Sequence, residues 1–110
     1  MSSPSTLLVF SNLPDRASAE TLAAALVQRQ AAACVNIMAP CRSVYRWQGA
    51  VEQSEEIPVF IKTTADRYEL VEHIVRELHP YELPEIIALP VTGGLPAYLA
   101  WVAAETRPDN

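Results

Sequence analysis

The sequence predicts an α+β protein in which helices pack on one face of an antiparallel sheet. Three observations indicate this class. Short apolar runs rich in β-branched residues recur along the chain, and two stretches with apolar residues at helical spacing separate them. One turn signal, Gln48-Gly49, divides a long strand-like segment into two arms. The order of elements is therefore β-α-β-β-α-β, followed by one further helix.

The first two elements are a buried strand and an amphipathic helix. The apolar run over residues 6–10 predicts the strand, and the polar stretch over residues 11–15 predicts a loop. Ser18 is the expected N-cap of the helix, because a serine hydroxyl can accept a hydrogen bond from the first helical turn. Apolar residues at helical spacing give this helix its buried face: Leu22, Ala25 and Leu26.

The longest element is a β-hairpin over residues 33–64, with Gln48-Gly49 at its turn. Each arm is longer than the usual strand of about 5–6 residues. Pro40 and Pro58 mark a kink, a bulge or an edge, because proline cannot donate a hydrogen bond to a neighbouring strand. A hairpin of this length extends beyond one small domain, so we expect an oligomer.

The second half of the chain repeats the helix–strand pattern. Asp66 and Glu69 have the spacing of a capping box, and His79-Pro80 ends the helix because the residue before a proline disfavours helical geometry. Residues 86–89 predict the last strand, and Pro96 suits the first position of a final helix. The whole order predicts a ferredoxin-like βαββαβ sandwich with a long central hairpin and an extra C-terminal helix.

Length and composition limit the classes of function. The 110 residues predict one domain with disordered tails at about residues 1–4 and 107–110. The net charge is −5 and no basic run exists, so we expect no nucleic-acid partner.

Residues 86–104 carry no charge, but Pro90, Gly93-Gly94 and Pro96 interrupt them, so we expect no membrane span. The residues before 7 do not resemble a signal peptide, and we take Cys34 and Cys41 as thiols of a cytoplasmic protein.

Several blocks of residues, in order and correctly spaced, resemble the CutA family of divalent-cation tolerance proteins. The resemblance runs from residue 7 to about residue 106. The blocks are AACVN at residues 32–36, S-x-Y-x-W-x-G at 43–49, E-x-x-x-x-x-K-T at 56–63, HPYE-x-PE at 79–85 and Y-L-x-W at 98–101.

The resemblance implies a tight homotrimer, built by pairing long hairpins between neighbours, and a cytoplasmic protein linked to copper and other divalent metals. No catalytic reaction comes with the family, so we expect no catalytic residues and no enzyme activity. An alternative interpretation, based on analogy of fold alone, is a PII-like signalling or scaffold trimer that binds a small molecule or a partner in the cleft between subunits.

Three residues are the candidate metal ligands: His79, Cys34 and Glu82. Imidazole, thiolate and carboxylate groups are plausible ligands for Cu²⁺ or another divalent cation, and we expect no organic cofactor. Each residue also has a structural interpretation. His79 can donate a hydrogen bond at the helix end, and Cys34 can be a small buried apolar residue. Copper-linked family members can carry a cysteine and a histidine where this chain has Ser11 and Leu78. The copper site of those relatives is therefore not expected unchanged in this chain.

A second set of residues is expected at a cleft or an interface. Tyr45, Trp47 and Tyr81 combine large rings with polar tips, which favours pocket rims and packing between subunits. Three charged residues can form a polar cluster near the cleft, or a solvated face with ion pairs: Glu56, Lys62 and Glu82. Glu85 also belongs to the set expected at the cleft or interface. His73, on the second helix, is expected on the surface.

Overall fold

The structure is a computed structural model that describes residues 4–107 of the chain. The residues predicted as tails therefore lie mostly outside the described part. The strands are β1 (Thr6–Leu13), β2 (Cys34–Ile37), β3 (Cys41–Trp47), β4 (Ala50–Thr64) and β5 (Ile87–Pro90). The helices are α1 (Arg16–Gln28), α2 (Tyr68–Leu78) and α3 (Pro96–Glu105), with a 3-10 turn at Ala65–Arg67.

The five strands form an antiparallel sheet in the order β2-β4-β1-β5, and β3 pairs with the first part of β4. β4 has 15 residues and is the central strand. Its second part lies between β1 and β2, whereas its first part has β3 as its partner. The predicted α+β class with an antiparallel sheet is confirmed.

The hydrophobic core lies between one face of the sheet and helices α1 and α2. Its largest fully buried apolar side chains are Val9, Leu13, Leu22, Leu26, Val59, Ile61, Val71, Ile74 and Val75. Helix α3 packs on the other face. Side chains alternate between faces along β4, so Lys62 points away from the core that Ile61 joins, and its Nζ lies 5.6 Å from the ring centroid of Tyr98 in α3. Val102 is the fully buried residue of α3.

The predicted first arm of the hairpin is not continuous, since β2 ends at Ile37 and β3 begins at Cys41. Pro40 lies in this break. Pro58, by contrast, does not interrupt β4. Its carbonyl oxygen accepts a hydrogen bond from the backbone nitrogen of Met38 at 2.9 Å. The N–H and C=O groups of one strand residue point to the same side of the strand. The nitrogen of Pro58 therefore faces the break between β2 and β3, where its lack of a hydrogen atom removes no hydrogen bond between paired strands.

Two predictions at the start of the chain are wrong. Residues 11–13 belong to β1 and pair with residues 57–59 of β4, because the long central strand supplies partners beyond the apolar run. The N-cap of α1 is Asp15, whose Oδ1 atom accepts a hydrogen bond from the nitrogen of Ser18 at 2.7 Å. The carboxylate thus has the capping role that was expected of the Ser18 hydroxyl.

The predicted capping box of α2 is also absent from the structure. Asp66 lies in the 3-10 turn, and its carboxylate accepts hydrogen bonds from Thr64 and Arg107 instead. Arg107, expected in the tail, thereby joins the end of α3 to this turn. The last strand begins at Ile87, one residue later than predicted.

The turn at Gln48-Gly49 is confirmed, with φ values of 49° and 82° at its two residues. This turn closes the ribbon, which we define as β3 with residues 50–56 of β4. The ribbon projects from the body and contributes to a long axis of 49 Å. Its apolar side chains Val44, Trp47 and Val51 are 61%, 45% and 64% exposed. In the described part of the chain, no helix has the length and apolarity needed to cross a membrane.

Candidate functional site

His79 terminates α2, and both of its ring nitrogens are engaged in hydrogen bonds. It is 6% exposed and has extended backbone geometry, as predicted for the residue before Pro80. Nε2 lies 2.6 Å from the backbone oxygen of Asn12, and Nδ1 lies 3.1 Å from the backbone nitrogen of Tyr81. The first partner can only accept and the second can only donate, so Nε2 carries the proton and Nδ1 accepts. No ring lone pair remains for a metal ion.

Tyr81 connects this histidine to a buried carboxylate. Its ring centroid lies 4.8 Å from that of His79, and its hydroxyl donates to Oε2 of Glu56 at 3.1 Å. Burial of the phenol, followed by the negative charge of Glu56, raises the pKa of Tyr81 from 10.0 to about 12. The tyrosine therefore stays a neutral hydrogen-bond donor across the physiological range.

Tyr81 and Glu56 line a cleft of 680 Å³ that residues of β3, β4, the end of β1 and the loop after α2 form together. We call it the acidic cleft. Six predicted residues line it together: Tyr45, Trp47, Glu56, Tyr81, Glu82 and Glu85. The lining residues that sequence reasoning missed are Asn12, Ser43, Val44, Pro80 and Leu83. Only the pairing of β1 with β4 places Asn12 there, so no local signal could have indicated it.

Asn12 is 7% exposed and is fixed at the floor of the acidic cleft by a hydrogen bond from Nδ2 to Oε1 of Glu85, 2.9 Å long. Its Oδ1 atom is buried and has no hydrogen-bond partner among residues 4–107. Asn12 thus combines a place in the cleft lining with an amide oxygen that is buried and unsatisfied within the described residues.

Lys62 and Cys34 do not belong to the acidic cleft. They are directly paired across β4 and β2, and Lys62 lies against Tyr98 of α3. Cys34 and Cys41 are both free thiols in the structure. His73 is exposed, as predicted.

The structure does not assemble the three candidate metal ligands within one chain. Glu82 lines the acidic cleft, His79 is hydrogen-bonded beneath it, and Cys34 is on the strand beside Lys62. Residues 4–107 contain no group of three His, Cys, Asp or Glu side chains placed to hold a metal ion. The residues therefore do not fit a preformed metal site in the single chain, and their role as ligands stays a prediction.

Fold and site define a small α+β protein with a projecting ribbon and an acidic, aromatic cleft at its base. A model of the CutA1 divalent ion tolerance protein family matches residues 7–105. The divalent-cation tolerance protein CutA of Thermus thermophilus is 41% identical over 99 residues, which cover 90% of this chain and 96% of that protein. The chain belongs to the CutA1 divalent ion tolerance family, which confirms the resemblance. The family match does not favour the PII-like alternative.

Two further relatives agree with this assignment. The crystal structure of CutA from Xylella fastidiosa superposes with a TM-score of 0.91 at 44% identity, covering 94% of this chain and 99% of that one. The chloroplastic CutA of Arabidopsis thaliana is 40% identical over 102 residues. Those residues cover 93% of this chain but 56% of the Arabidopsis protein, so the chain spans about half of that relative.

Proposed function

We propose that the chain acts in the tolerance of divalent cations as a cytoplasmic homotrimer, which binds Cu²⁺ or a similar ion weakly and catalyses no reaction. Membership of the divalent ion tolerance family supports the cellular role. The observation that carries the proposal is the ribbon, whose exposed apolar side chains and open strand edges require a cover that residues 4–107 do not provide.

The ferredoxin-like sandwich and the trimer each have one structural support. The strand order β2-β4-β1-β5, with α1 and α2 on one face, is the order expected for a ferredoxin-like sandwich. The other face carries exposed apolar residues that a neighbouring subunit would bury. Those on β5 and α3 are Ile87, Leu89 and Trp101, at 51%, 53% and 42% exposure. Burial of such a patch is a strong drive for association.

Weak metal binding follows from the arrangement of the candidate ligands. A metal ion at His79 would displace the hydrogen bond from Tyr81 or the hydrogen bond to Asn12. A site that also uses Cys34 would take its ligands from more than one chain, since Cys34 does not line the acidic cleft. Glu82 is exposed and is the candidate that a cation reaches without rearrangement.

Light scattering tests the assembly. A trimer gives three times the 12.1 kDa of one chain, and a monomer mass at micromolar concentration would reject it.

Copper calorimetry tests the ligands. It compares the wild type with His79→Ala, Cys34→Ser and Glu82→Gln, and exposed His73→Ala is the control. We expect Glu82→Gln to weaken copper binding, and equal binding by all variants would reject the assigned ligands. Cell fractionation tests the proposed compartment.

A further inference from the structure

Glu56 and Lys62 carry opposite charges on the central strand β4, and neither belongs to an ion pair among residues 4–107. Glu56 is 8% exposed and accepts a hydrogen bond from the hydroxyl of Tyr81, whereas Lys62 is half-buried. The two residues lie six positions apart in an extended strand, which separates them by about 20 Å at about 3.3 Å per residue. Their side chains therefore cannot reach each other within one chain.

Lys62 lies on the face of the sheet that the proposed trimer buries. Its cross-strand neighbours are Leu8 and Cys34, and its Nζ lies 5.6 Å from the ring centroid of Tyr98. The ring of Tyr98 lies 5.5 Å from that of Trp101, which is 42% exposed and would be covered by a neighbouring subunit. An aromatic ring attracts a cation but does not neutralise it, and lysine is almost never fully buried unless it is paired. The assembled face therefore requires a carboxylate near Lys62.

Glu56 has the complementary requirement. The described residues that line the acidic cleft include Glu82 and Glu85 beside Glu56, but no lysine, arginine or histidine. In the proposed trimer, a neighbouring subunit covers the ribbon beside this cleft and displaces water from it. Buried charges in proteins are normally paired with an opposite charge. The assembly therefore requires a cation of the neighbouring subunit at Glu56.

Lys62 meets this requirement better than the arginines do. Arg46 and Arg76 are exposed and keep their hydration, whereas Lys62 is already half-buried against Tyr98. The other five arginines donate hydrogen bonds to acceptors of their own chain: Arg16, Arg29, Arg42, Arg67 and Arg107. Pairing Lys62 with Glu56 satisfies both buried charges with one contact.

We infer that Lys62 of each subunit forms an ion pair with Glu56 of the neighbouring subunit in the trimer. Each chain gives its lysine to one neighbour and its glutamate to the other, so the contact is heterologous and three copies close a ring. The inference rests on the trimer of the proposed function and is independent of copper binding. It reunites across the interface two charges that the sequence predicts in one polar cluster and that the single chain separates.

Mixed trimers of two charge-reversal variants test the pair. Glu56→Lys places lysine against lysine at every contact of its own trimer, and Lys62→Glu places glutamate against glutamate. A trimer that contains both variants restores opposite charges at two of its contacts. One variant is isotope-labelled, the two are unfolded in urea, mixed in equal amounts and refolded, and native mass spectrometry counts the species. Random assembly makes about three quarters of the trimers mixed. We expect at least about nine tenths, because like charges disfavour the pure trimers.

The matched control replaces Glu56→Lys by Glu52→Lys, which changes an exposed carboxylate of the same ribbon by the same charge. Its mixture with Lys62→Glu should stay near about three quarters. If a reversal variant does not fold, Glu56→Gln and Lys62→Gln replace the pair of variants and should show a smaller preference of the same sign.

The native mass of the wild type separates the two possible failures. A wild type of one-chain mass rejects the trimer itself, whereas a trimeric wild type whose Glu56 and Lys62 variants mix at random rejects only the ion pair. A preference of Glu56→Lys for Arg46→Glu chains, with none for Lys62→Glu chains, would also overturn the assignment of Lys62.

Discussion

Nε2 of His79 donates a hydrogen bond of 2.6 Å to the backbone oxygen of Asn12, which joins the end of α2 to the end of β1. Replacement by alanine leaves that carbonyl and the N–H of Tyr81 without their partner. We expect His79→Ala to lower the free energy of unfolding by about 1–3 kcal/mol, measured by urea denaturation. The control is His73→Ala on the exposed face of α2, expected to change it by less than about 0.5 kcal/mol. Equal losses in the two variants would show that this hydrogen bond is not stabilising.

Tyr81 should ionise at a higher pH than an ordinary tyrosine. Its folded pKa of about 12 exceeds the usual 10.0, so the neutral phenol is favoured in the folded chain. Its contribution to stability is fully present below pH 10.0 and is lost as the pH rises through about 12. The difference in tyrosinate absorbance between the wild type and Tyr81→Phe measures this pKa. Glu56→Gln should lower the Tyr81 pKa only in part, because burial is the larger cause; a midpoint near 10.0 in the wild type would refute the assignment.

Two buried hydroxyl groups on the core face of the sheet should respond in opposite ways. Ser11 is fully buried and its hydroxyl has no partner among residues 4–107, whereas Thr63 donates to the carbonyl of Ala31 at 2.6 Å. Ser11→Ala should raise the free energy of unfolding by up to about 1 kcal/mol, because an unsatisfied polar group is removed. Thr63→Val should lower it by about 1–3 kcal/mol, because a carbonyl loses its donor. Chemical denaturation measures both, and marked destabilisation by Ser11→Ala would mean that its hydroxyl is hydrogen-bonded in solution.

The exposed ribbon gives a direct test of the proposed trimer. Val51 is 64% exposed, and a lysine at this position would place a charge in a contact between chains. Val51→Lys should shift the mass toward that of one chain, as measured by light scattering. The same substitution at Val27, which is 43% exposed on α1 and away from the ribbon, should leave the mass unchanged. Identical masses for the two variants would argue against the ribbon as the contact.

The ion pair between Asp66 and Arg107 should make a small, acid-sensitive contribution. Arg107 Nη1 lies 2.7 Å from Oδ2 of Asp66, and its hydrogen bonds lower the pKa of that carboxyl below 3.8. The stabilisation is therefore present above pH 3.8 and lost as the pH falls through the folded pKa. A double-mutant cycle with Asp66→Asn and Arg107→Ala should give a coupling below about 1 kcal/mol, because the pair is solvent-exposed. A larger coupling that persists in acid would contradict this account.

Local patterns were sufficient for most of the elements. Helices α1 and α2 follow from apolar residues at helical spacing. The Gln48-Gly49 turn follows from the tolerance of glycine for positive φ, and Pro80 ends α2 because it restricts His79. The family was recognisable from short blocks of residues in a fixed order, since such blocks are a property of the linear chain.

Properties that depend on partners distant in sequence required the folded chain. The extension of β1 to Leu13 depends on β4, and the capping of α1 by Asp15 depends on where that strand ends. Likewise, histidine is a residue type that often binds metal ions, but Nε2 of His79 is hydrogen-bonded to a carbonyl oxygen 67 positions away in the sequence. Residue type limits which bonds a side chain can make, whereas the packing of β1, β4 and α2 selects which of them it does make.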